Sequence, residues 1–193
     1  MPHLTPSDLY SLEQYARVRN DFRAKVMEHK KHRRVAIGDH AALYFEDALT
    51  MQYQIQEMLR IERIFEPEGI QEELDVYNPL IPDGCNWKAT FMIEYSDVEE
   101  RRAALARLIG VEKAVYVQVD GFERVHPIAN EDLERETEGK TASVHFLRFE
   151  LTSVMATAVK QGAKVLAGID HPQYWAEVVV AGKVRDSLAA DLD

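Results

Sequence analysis

The sequence predicts a single α+β domain over residues 1–193, with a mostly antiparallel sheet of about five or six strands that is covered by helices. Apolar residues recur at helical spacing in some segments and alternate in others. Asp120-Gly121, between two alternating stretches, is a strong hairpin signal. With 46% hydrophobic residues the chain can bury one core, and no linker or repeat divides it.

The N-terminal region predicts a long helix over residues 12–31. Thr5-Pro6-Ser7-Asp8 is a helix-start pattern, and Ser11 with Gln14 forms a second capping box. Residues 1–34 hold eight Lys/Arg against four Asp/Glu, whereas the remainder holds 15 against 29. We therefore distinguish a basic helical segment, residues 1–34, from an acidic α+β body, residues 35–193. The apolar stripe of the helix consists of Tyr15, Val18, Phe22 and Val26.

The body alternates between predicted strands and helices. Strands are predicted at 33–45 with a turn or bulge at Gly38-Asp39, at 86–96, in the hairpin 114–126, at 140–151, and at 165–180 with a break at Pro172. Helices are predicted at 48–64, 67–77 and 152–161, with a short one at the C-terminus. Asp97 is predicted to cap a further helix that runs to Leu108. Residues 128–139 are acidic, and we expect them to be exposed.

Charge and composition exclude several classes of partner. A net charge of −10 argues against nucleic acid, because affinity there depends on neutralising phosphates. The single cysteine, Cys85, rules out an internal disulfide, and the chain starts without a charged and then apolar leader. No apolar run approaches ~18 residues. We therefore expect a soluble, cytoplasmic protein with no membrane partner.

The segment KTASVHFLRFEL places three ionisable groups in one predicted strand. By strand parity His145 shares a face with Leu147 and Phe149, while Arg148 and Glu150 lie on the other. One interpretation is structural, with a hydrogen-bonded core histidine and an Arg–Glu pair on a wet face. The other is that the polar face lines a cleft, in which Arg148, Glu150 and Tyr174 bind a ligand.

Two further segments supply candidate ligands. GDHAALYFED places His40, Ala42, Tyr44 and Glu46 on one strand face, where the small alanine leaves room for a bound group. Glu62 falls on the apolar stripe of the helix predicted at 48–64, so we expect it to point partly inward. An inward carboxylate needs a partner, which Arg148, a metal or an arginine of another subunit would supply. The alternative is a boundary residue paired with a local arginine.

The third segment, GIDHPQYWAEV, contains an imidazole beside a carboxylate. His171-Pro172 keeps the histidine out of helical geometry. An adjacent carboxylate can orient a general base or a metal ligand, although neighbours on a strand point apart. The candidate catalytic residues are Tyr44 and His171, and the candidate metal ligands are His40, Glu46, Glu62 and His171. No zinc, phosphate-loop, dinucleotide or nucleophile-elbow motif is present in the sequence.

Several long motifs resemble those of a bacterial family described only as domain of unknown function 3501. These motifs are RRVAIGDHAALYFED, YQIQEMLRIERI, ELDVYNPLIPDGCNWKATFMIEY and KTASVHFLRFEL, the last followed by DHPQYWAEV. The resemblance implies no activity. It implies a redox or metal-stress setting, through gene neighbourhoods with rubrerythrin-like and iron–sulfur oxidoreductase proteins. Relatives carry a small polar residue where this chain has Cys85, which weakens any thiol mechanism.

Three functions remain open from the sequence. The first is a ligand- or metal-binding accessory protein, with iron, manganese or zinc as the divalent metal. The second is a protein without chemistry, either a homodimer or a docking subunit for an iron–sulfur or rubrerythrin-like redox protein, which would use the N-terminal helix and the charge asymmetry. The third is a metal-free enzyme that binds an anion through Arg148, Arg60 and Lys88. The excess of carboxylates disfavours it.

Overall fold

The computed structural model describes residues 3–133, 135–137 and 139–193. The helices begin where the sequence supplies caps. Ser11 Oγ accepts a hydrogen bond from the backbone N–H of Gln14, and Gln14 Oε1 accepts one from that of Ser11. Asp97 caps its helix by accepting from two backbone N–H groups. The α-helices are α1 (Leu12–Lys30), α2 (Ala48–Glu62), α3 (Pro67–Tyr77), α4 (Val98–Arg107), α5 (Val111–Ala114), α6 (Ser153–Lys160) and α7 (Gly182–Ala189).

The strands form two main antiparallel sheets, of five and four strands. Their orders are β1-β2-β3-β9-β6 and β11-β10-β4-β5, and β7 and β8 form a separate two-stranded ribbon. The strands are β1 (Arg34–Ala36), β2 (Ala41–Phe45), β3 (Asn86–Ile93), β4 (Val115–Val119), β5 (Arg124–Val125), β6 (Ile128–Ala129), β7 (Glu136–Thr137), β8 (Lys140–Thr141), β9 (Val144–Glu150), β10 (Val165–His171) and β11 (Tyr174–Val180).

The α+β class and the antiparallel pairing are confirmed, whereas the single sheet is replaced by two. The segment predicted as one strand at 33–45 folds into the hairpin β1–β2, which turns through Gly38 at φ +68°. The segment 165–180 likewise forms the hairpin β10–β11. Hairpins are local, but β9 pairs with β3 and β10 pairs with β4. These pairings between distant segments divide the strands between two sheets.

The predicted hairpin after Ala114 is confirmed by the pairing of β4 with β5. The described residues of the acidic segment that follows, 128–139, contain two short strands, β6 and β7, and β8 begins directly after it. Its residues 134 and 138 lie outside the described part of the chain. The neighbouring residues 131–133 are exposed, as the acidic composition predicts.

The two sheets contribute their inner faces to one hydrophobic core. Trp87, Phe91 and Phe149 come from the five-stranded sheet, while Val117 and Ala167 come from the four-stranded sheet. Residues of α4, α6 and α7 complete this core. Burial of so much apolar surface is the main stabilising contribution to such a fold.

The apolar stripe of α1 is used inside the molecule. Tyr15, Phe22 and Val26 are buried and pack against Leu49 and Tyr53 of α2. The stripe is therefore not free to bind a second copy in this structure. None of the helices in the described residues combines the length and the apolar content needed to cross a bilayer.

Candidate functional site

An open groove lies at the end of the β1–β2 hairpin, beside the end of β3. It has a volume of about 470 Å³ and is lined by Asp39, His40, Glu94, Tyr95 and Ser96. We call it the His40 groove. The hairpin turn and the end of β3 form it together because β2 and β3 pair from Ala41↔Ile93 onward.

His40 is held in one orientation by two neighbours. Its Nδ1 lies 3.1 Å from the backbone carbonyl of Glu94, so this nitrogen carries the proton and donates. Its ring stacks on Tyr95 at 4.0 Å between centroids. Within the described residues Nε2 has no hydrogen-bond partner. The neutral imidazole therefore presents Nε2 with a free lone pair. This nitrogen can bind a metal ion or accept a hydrogen bond from a ligand.

Tyr174 supports the backbone of the groove and does not enter its lining. Its hydroxyl donates to the carbonyl of Ile37 at 2.7 Å and accepts from the backbone N–H of His40 at 3.0 Å. Burial raises the pKa of Tyr174, which keeps the phenol protonated and able to make both bonds. Tyr174 thus makes a positioning contact in this structure, and its ligand-binding role stays a prediction.

Tyr44 belongs to a network beside the groove. Its hydroxyl donates to Glu94 at 2.5 Å, and Arg34 donates to both Tyr44 and Glu94 at 2.9 Å. Desolvation, and then the hydrogen bond to Glu94, raise the pKa of Tyr44. A phenol with a raised pKa donates hydrogen bonds and is a poor base at neutral pH. The proton-transfer role considered for Tyr44 is not favoured by this geometry.

Arg148 and Glu150 face outward and are paired, as the structural interpretation of their strand predicts. Arg148 donates to Glu131 at 2.7 and 2.8 Å and also to Glu150. Glu150 accepts a further hydrogen bond from Asn86 at 3.0 Å. The pKa of Arg148 is raised by its hydrogen bonds to Glu131 and then Glu150. A ligand anion at Arg148 would have to displace one of these carboxylates.

His145 is a core histidine with hydrogen bonds on both ring nitrogens. Asn130 Nδ2 lies 3.0 Å from Nδ1, and the carbonyl of Ala142 lies 3.0 Å from Nε2. The amide must donate and the carbonyl must accept, so the neutral ring carries its proton on Nε2. Thr141 Oγ1 lies 3.0 Å from the same nitrogen. This histidine joins β9 to the segment after β6.

The other predicted metal ligands lie apart from the His40 groove. Glu46 is buried and accepts hydrogen bonds from the hydroxyls of Thr50 and Thr90. His171 donates from Nε2 to the carbonyl of Ile109 and accepts at Nδ1 from a backbone N–H. Both side chains are therefore already satisfied within the fold.

Glu62 is exposed, so the expectation that it points inward is wrong. It is the last residue of α2, where Arg63 adopts a left-handed conformation and ends the helix. The apolar stripe does not extend to this terminal turn. Among the described residues no three His, Cys, Asp or Glu side chains come together as a metal site.

The basic residues considered for an anionic substrate are also committed to other groups. Arg60 pairs with Glu57 at 3.2 Å, and Lys88 donates to the carbonyls of Pro79 and Ile81 at 2.8 Å. Burial lowers the pKa of Lys88. Cys85 is an exposed free thiol, and the ammonium of Lys88 hydrogen bonds to carbonyls and not to it.

Sequence reasoning missed Glu94 and Tyr95, which complete the His40 groove, and Glu131, which pairs with Arg148. A usable signal existed for Glu94, which shares strand parity with Lys88, Thr90 and Met92 on the face opposite the buried Phe91. No local signal marked Glu131, because its partner lies 17 residues away.

The chain was compared with known proteins. A comparison with curated proteins finds no match. A crystal structure at 1.90 Å resolution, described as a novel protein of unknown function from Burkholderia pseudomallei K96243, is similar over 100% of both chains, with 52% sequence identity and a TM-score of 0.93. The model of the family described as "Protein of unknown function (DUF3501)" matches residues 3–192. Because that match spans almost the whole sequence, the chain belongs to the DUF3501 family of proteins of unknown function.

Proposed function

We propose that the protein is a ligand-binding accessory protein in a redox or metal-stress setting, with the His40 groove as its binding site. The observation that carries the proposal is the oriented imidazole, whose Nδ1 donates to a backbone carbonyl while Nε2 faces no protein partner in the described residues. A backbone carbonyl on Nδ1 is the usual support of a metal-binding histidine.

Asp39 adds a second open group to the same groove. The residue lines the groove, and its carboxylate accepts no hydrogen bond within the described residues. Imidazole and carboxylate together suit iron, manganese or zinc. Two protein groups would leave several coordination positions for water or a small molecule, which is typical of binding sites and not of structural metal sites. The redox or metal-stress setting rests on the family resemblance alone.

The test is calorimetric titration of the full chain with Fe²⁺, Mn²⁺ and Zn²⁺ in separate anaerobic experiments. We expect saturable binding of at least one metal that His40→Ala abolishes. His126→Ala is the matched control, because His126 Nδ1 also bonds a backbone carbonyl, that of Val115, but the residue lies outside the groove. Equal binding by the wild type and His40→Ala would refute the proposal.

A second candidate is a non-catalytic homodimer, which the outer face of the four-stranded sheet favours. Trp175 is 69% exposed there, and Val179 on the same strand is also exposed. Their strand, β11, is an edge strand. Antiparallel pairing of β11 with a second copy, centred on Glu177, would place Trp175 opposite the partner copy's Val179. Aromatic and β-branched pairs of this kind stabilise sheets.

Light scattering coupled to gel filtration tests the second candidate. We expect a dimer for the wild type, a monomer for Trp175→Thr, and a dimer for Val154→Thr, which removes an exposed valine from α6 instead. A monomeric wild type would exclude the homodimer. If that monomer bound an iron–sulfur or rubrerythrin-like protein through Trp175, the surface would instead belong to the redox partner that the resemblance implies.

A further inference from the structure

A second groove lies between α5 and the segment that follows β6, away from the His40 groove. Its volume is about 420 Å³. Glu112 and Lys113 of α5 line one side, and residues 129–133 with Arg135 line the other. We call it the Glu112 groove.

Glu112 is a buried carboxylate with an unused oxygen. The residue is only 2% exposed, and its Oε2 has no hydrogen-bond partner within the described residues. The ammonium of Lys113 lies 3.8 Å from the other oxygen, Oε1, and that side chain extends mostly into solvent. A buried carboxylate oxygen without a donor carries a desolvation cost that a bound donor would remove.

The two other described carboxylates of the groove each pair with an arginine. Glu131 accepts two hydrogen bonds from Arg148, at 2.7 and 2.8 Å. Asp132 accepts two from Arg135, at 2.5 and 2.6 Å, and the Arg135 guanidinium also stacks over the ring of Phe146. Among the described acids of the groove, Glu112 is thus the one that no arginine binds.

We propose that the Glu112 groove binds a cationic N–H donor, a primary ammonium or a guanidinium on a short aliphatic stem. The charged head would donate to the carboxylate of Glu112 from the groove, which gives a charge-assisted hydrogen bond. Ala129 and Leu133 line the same groove and offer apolar contact for the stem.

The geometry points to such a cation and not to a divalent metal. Mg²⁺ and Ca²⁺ require about six or more oxygen ligands, whereas the oxygens of Glu131 and Asp132 are occupied by guanidinium groups. One carboxylate that accepts no hydrogen bond within the described residues matches one N–H donor. The cation has two sources with this chemistry, a free small amine or a Lys or Arg side chain of another protein.

The experiment follows the backbone amide resonances of the isotopically labelled full chain during titration. The probes are n-butylammonium, n-butylguanidinium, a capped Ala-Arg-Ala peptide and uncharged 1-butanol. We expect saturable shifts at residues 112–113 and 129–133 with the cations, and affinity at least about tenfold weaker in Glu112→Gln. Glu123→Gln, which changes an exposed carboxylate outside the groove, should bind as the wild type does.

The titration distinguishes the two sources of the cation. Binding of the peptide at least as tight as that of the free cations would identify a protein side chain as the source, and weaker binding would identify a small amine. The proposal is overturned if no cation gives saturable shifts, if 1-butanol binds equally well, or if Glu112→Gln keeps the wild-type affinity. Since the amide variant replaces a buried carboxylate whose Oε2 accepts no hydrogen bond, it should fold at least as stably as the wild type, which a thermal melt checks.

Discussion

Arg33 and Arg148 each donate hydrogen bonds from two guanidinium nitrogens to one carboxylate, but the two pairs differ in burial. Arg33 donates to Asp191 at 2.7 and 2.9 Å, and Arg148 donates to Glu131 at 2.7 and 2.8 Å. The side chains of the first pair are 2% and 3% exposed, whereas those of the second are 26% and 51% exposed. The hydrogen-bond geometry is almost the same, so burial distinguishes the two pairs.

The buried pair has additional partners that make it part of the architecture. Arg33 also donates to the carbonyls of Phe45 and Glu46, at 3.1 and 2.7 Å. Asp191 follows α7, so the pair fixes the C-terminal segment onto the start of the β1–β2 hairpin. Breaking a buried pair leaves a charge without compensation, whereas solvent takes over the role of a lost surface partner. We therefore expect Arg148 and Glu150 of β9 to contribute less to stability than Arg33 and Asp191, which no local sequence motif marks.

Asp191→Ala should produce the largest loss in this comparison. We expect the free energy of unfolding to fall by about 3–5 kcal/mol, because Arg33 is left buried and charged without its bidentate partner, and its Nε lies 3.6 Å from the nearest oxygen of Asp47. Urea denaturation measures the change. Asp186→Ala is the control, since this aspartate on α7 is largely exposed and should change stability by less than about 0.5 kcal/mol. A loss below about 1 kcal/mol for Asp191→Ala would contradict the argument from burial.

The pair Arg19–Glu57 lies between these extremes, with side chains 30% and 13% exposed. Hydrogen bonds from Arg19, and also from Tyr15 and Arg60, lower the pKa of Glu57 to about 2 from its usual 4.5. A carboxyl whose pKa is lowered by folding stabilises the protein above the unfolded-state pKa, and this stabilisation is lost as the pH falls through the folded-state value. Glu57→Gln should therefore cost about 1–3 kcal/mol at pH 7.

A pH series tests whether the ionised form of Glu57 is what stabilises the fold. The stability difference between the wild type and Glu57→Gln should shrink as the pH falls from 4.5 toward 2, as measured by denaturant unfolding at each pH. Glu123→Gln, at an exposed carboxylate, is the control and should change stability by less than about 0.5 kcal/mol at pH 7. If the difference for Glu57 stays constant over this window, the carboxylate form is not what stabilises the fold.

Arg148→Ala should give the smallest effect, at most about 1 kcal/mol of unfolding free energy. Its ion pairs with Glu131 and Glu150 are accessible to solvent, and solvent weakens each pair. Water can also hydrate the two carboxylates once the arginine is removed. The small difference should decrease further in 1 M salt, because screening acts strongly on exposed charges. A loss above about 2 kcal/mol that is insensitive to salt would instead place Arg148 in the same class as Arg33.

Features that depend on neighbouring residues were predictable from the sequence. The capping box of Ser11 and Gln14, the Asp97 cap and the β4–β5 hairpin each rely on contacts within a few residues, and all three are present. Strand parity correctly placed His145 inward and Arg148 outward. The position of Glu62 was wrong because an apolar stripe does not show where a helix stops.

The candidate sites required the tertiary structure. Sequence parity suggested His40, Tyr44 and Glu46 as one group, but Glu46 is satisfied by two threonine hydroxyls, and Glu94 from a different strand completes the groove. The open Nε2 of His40 depends on a carbonyl 54 residues away. No sequence pattern shows which carboxylate will bind a guanidinium. Asp132 accepts hydrogen bonds from Arg135, whereas Glu112 in the same groove binds no arginine.

The sequence by itself determined the α+β class, most helix starts and the hairpins, because short-range hydrogen bonds and alternating burial specify them. The tertiary structure decided that there are two sheets and that Arg33 meets Asp191, which lies 158 residues away. It also decided which polar groups are left free to bind a ligand. These outcomes depend on which distant surfaces are buried together, and burial sets the energy of every charge and hydrogen bond at the contact.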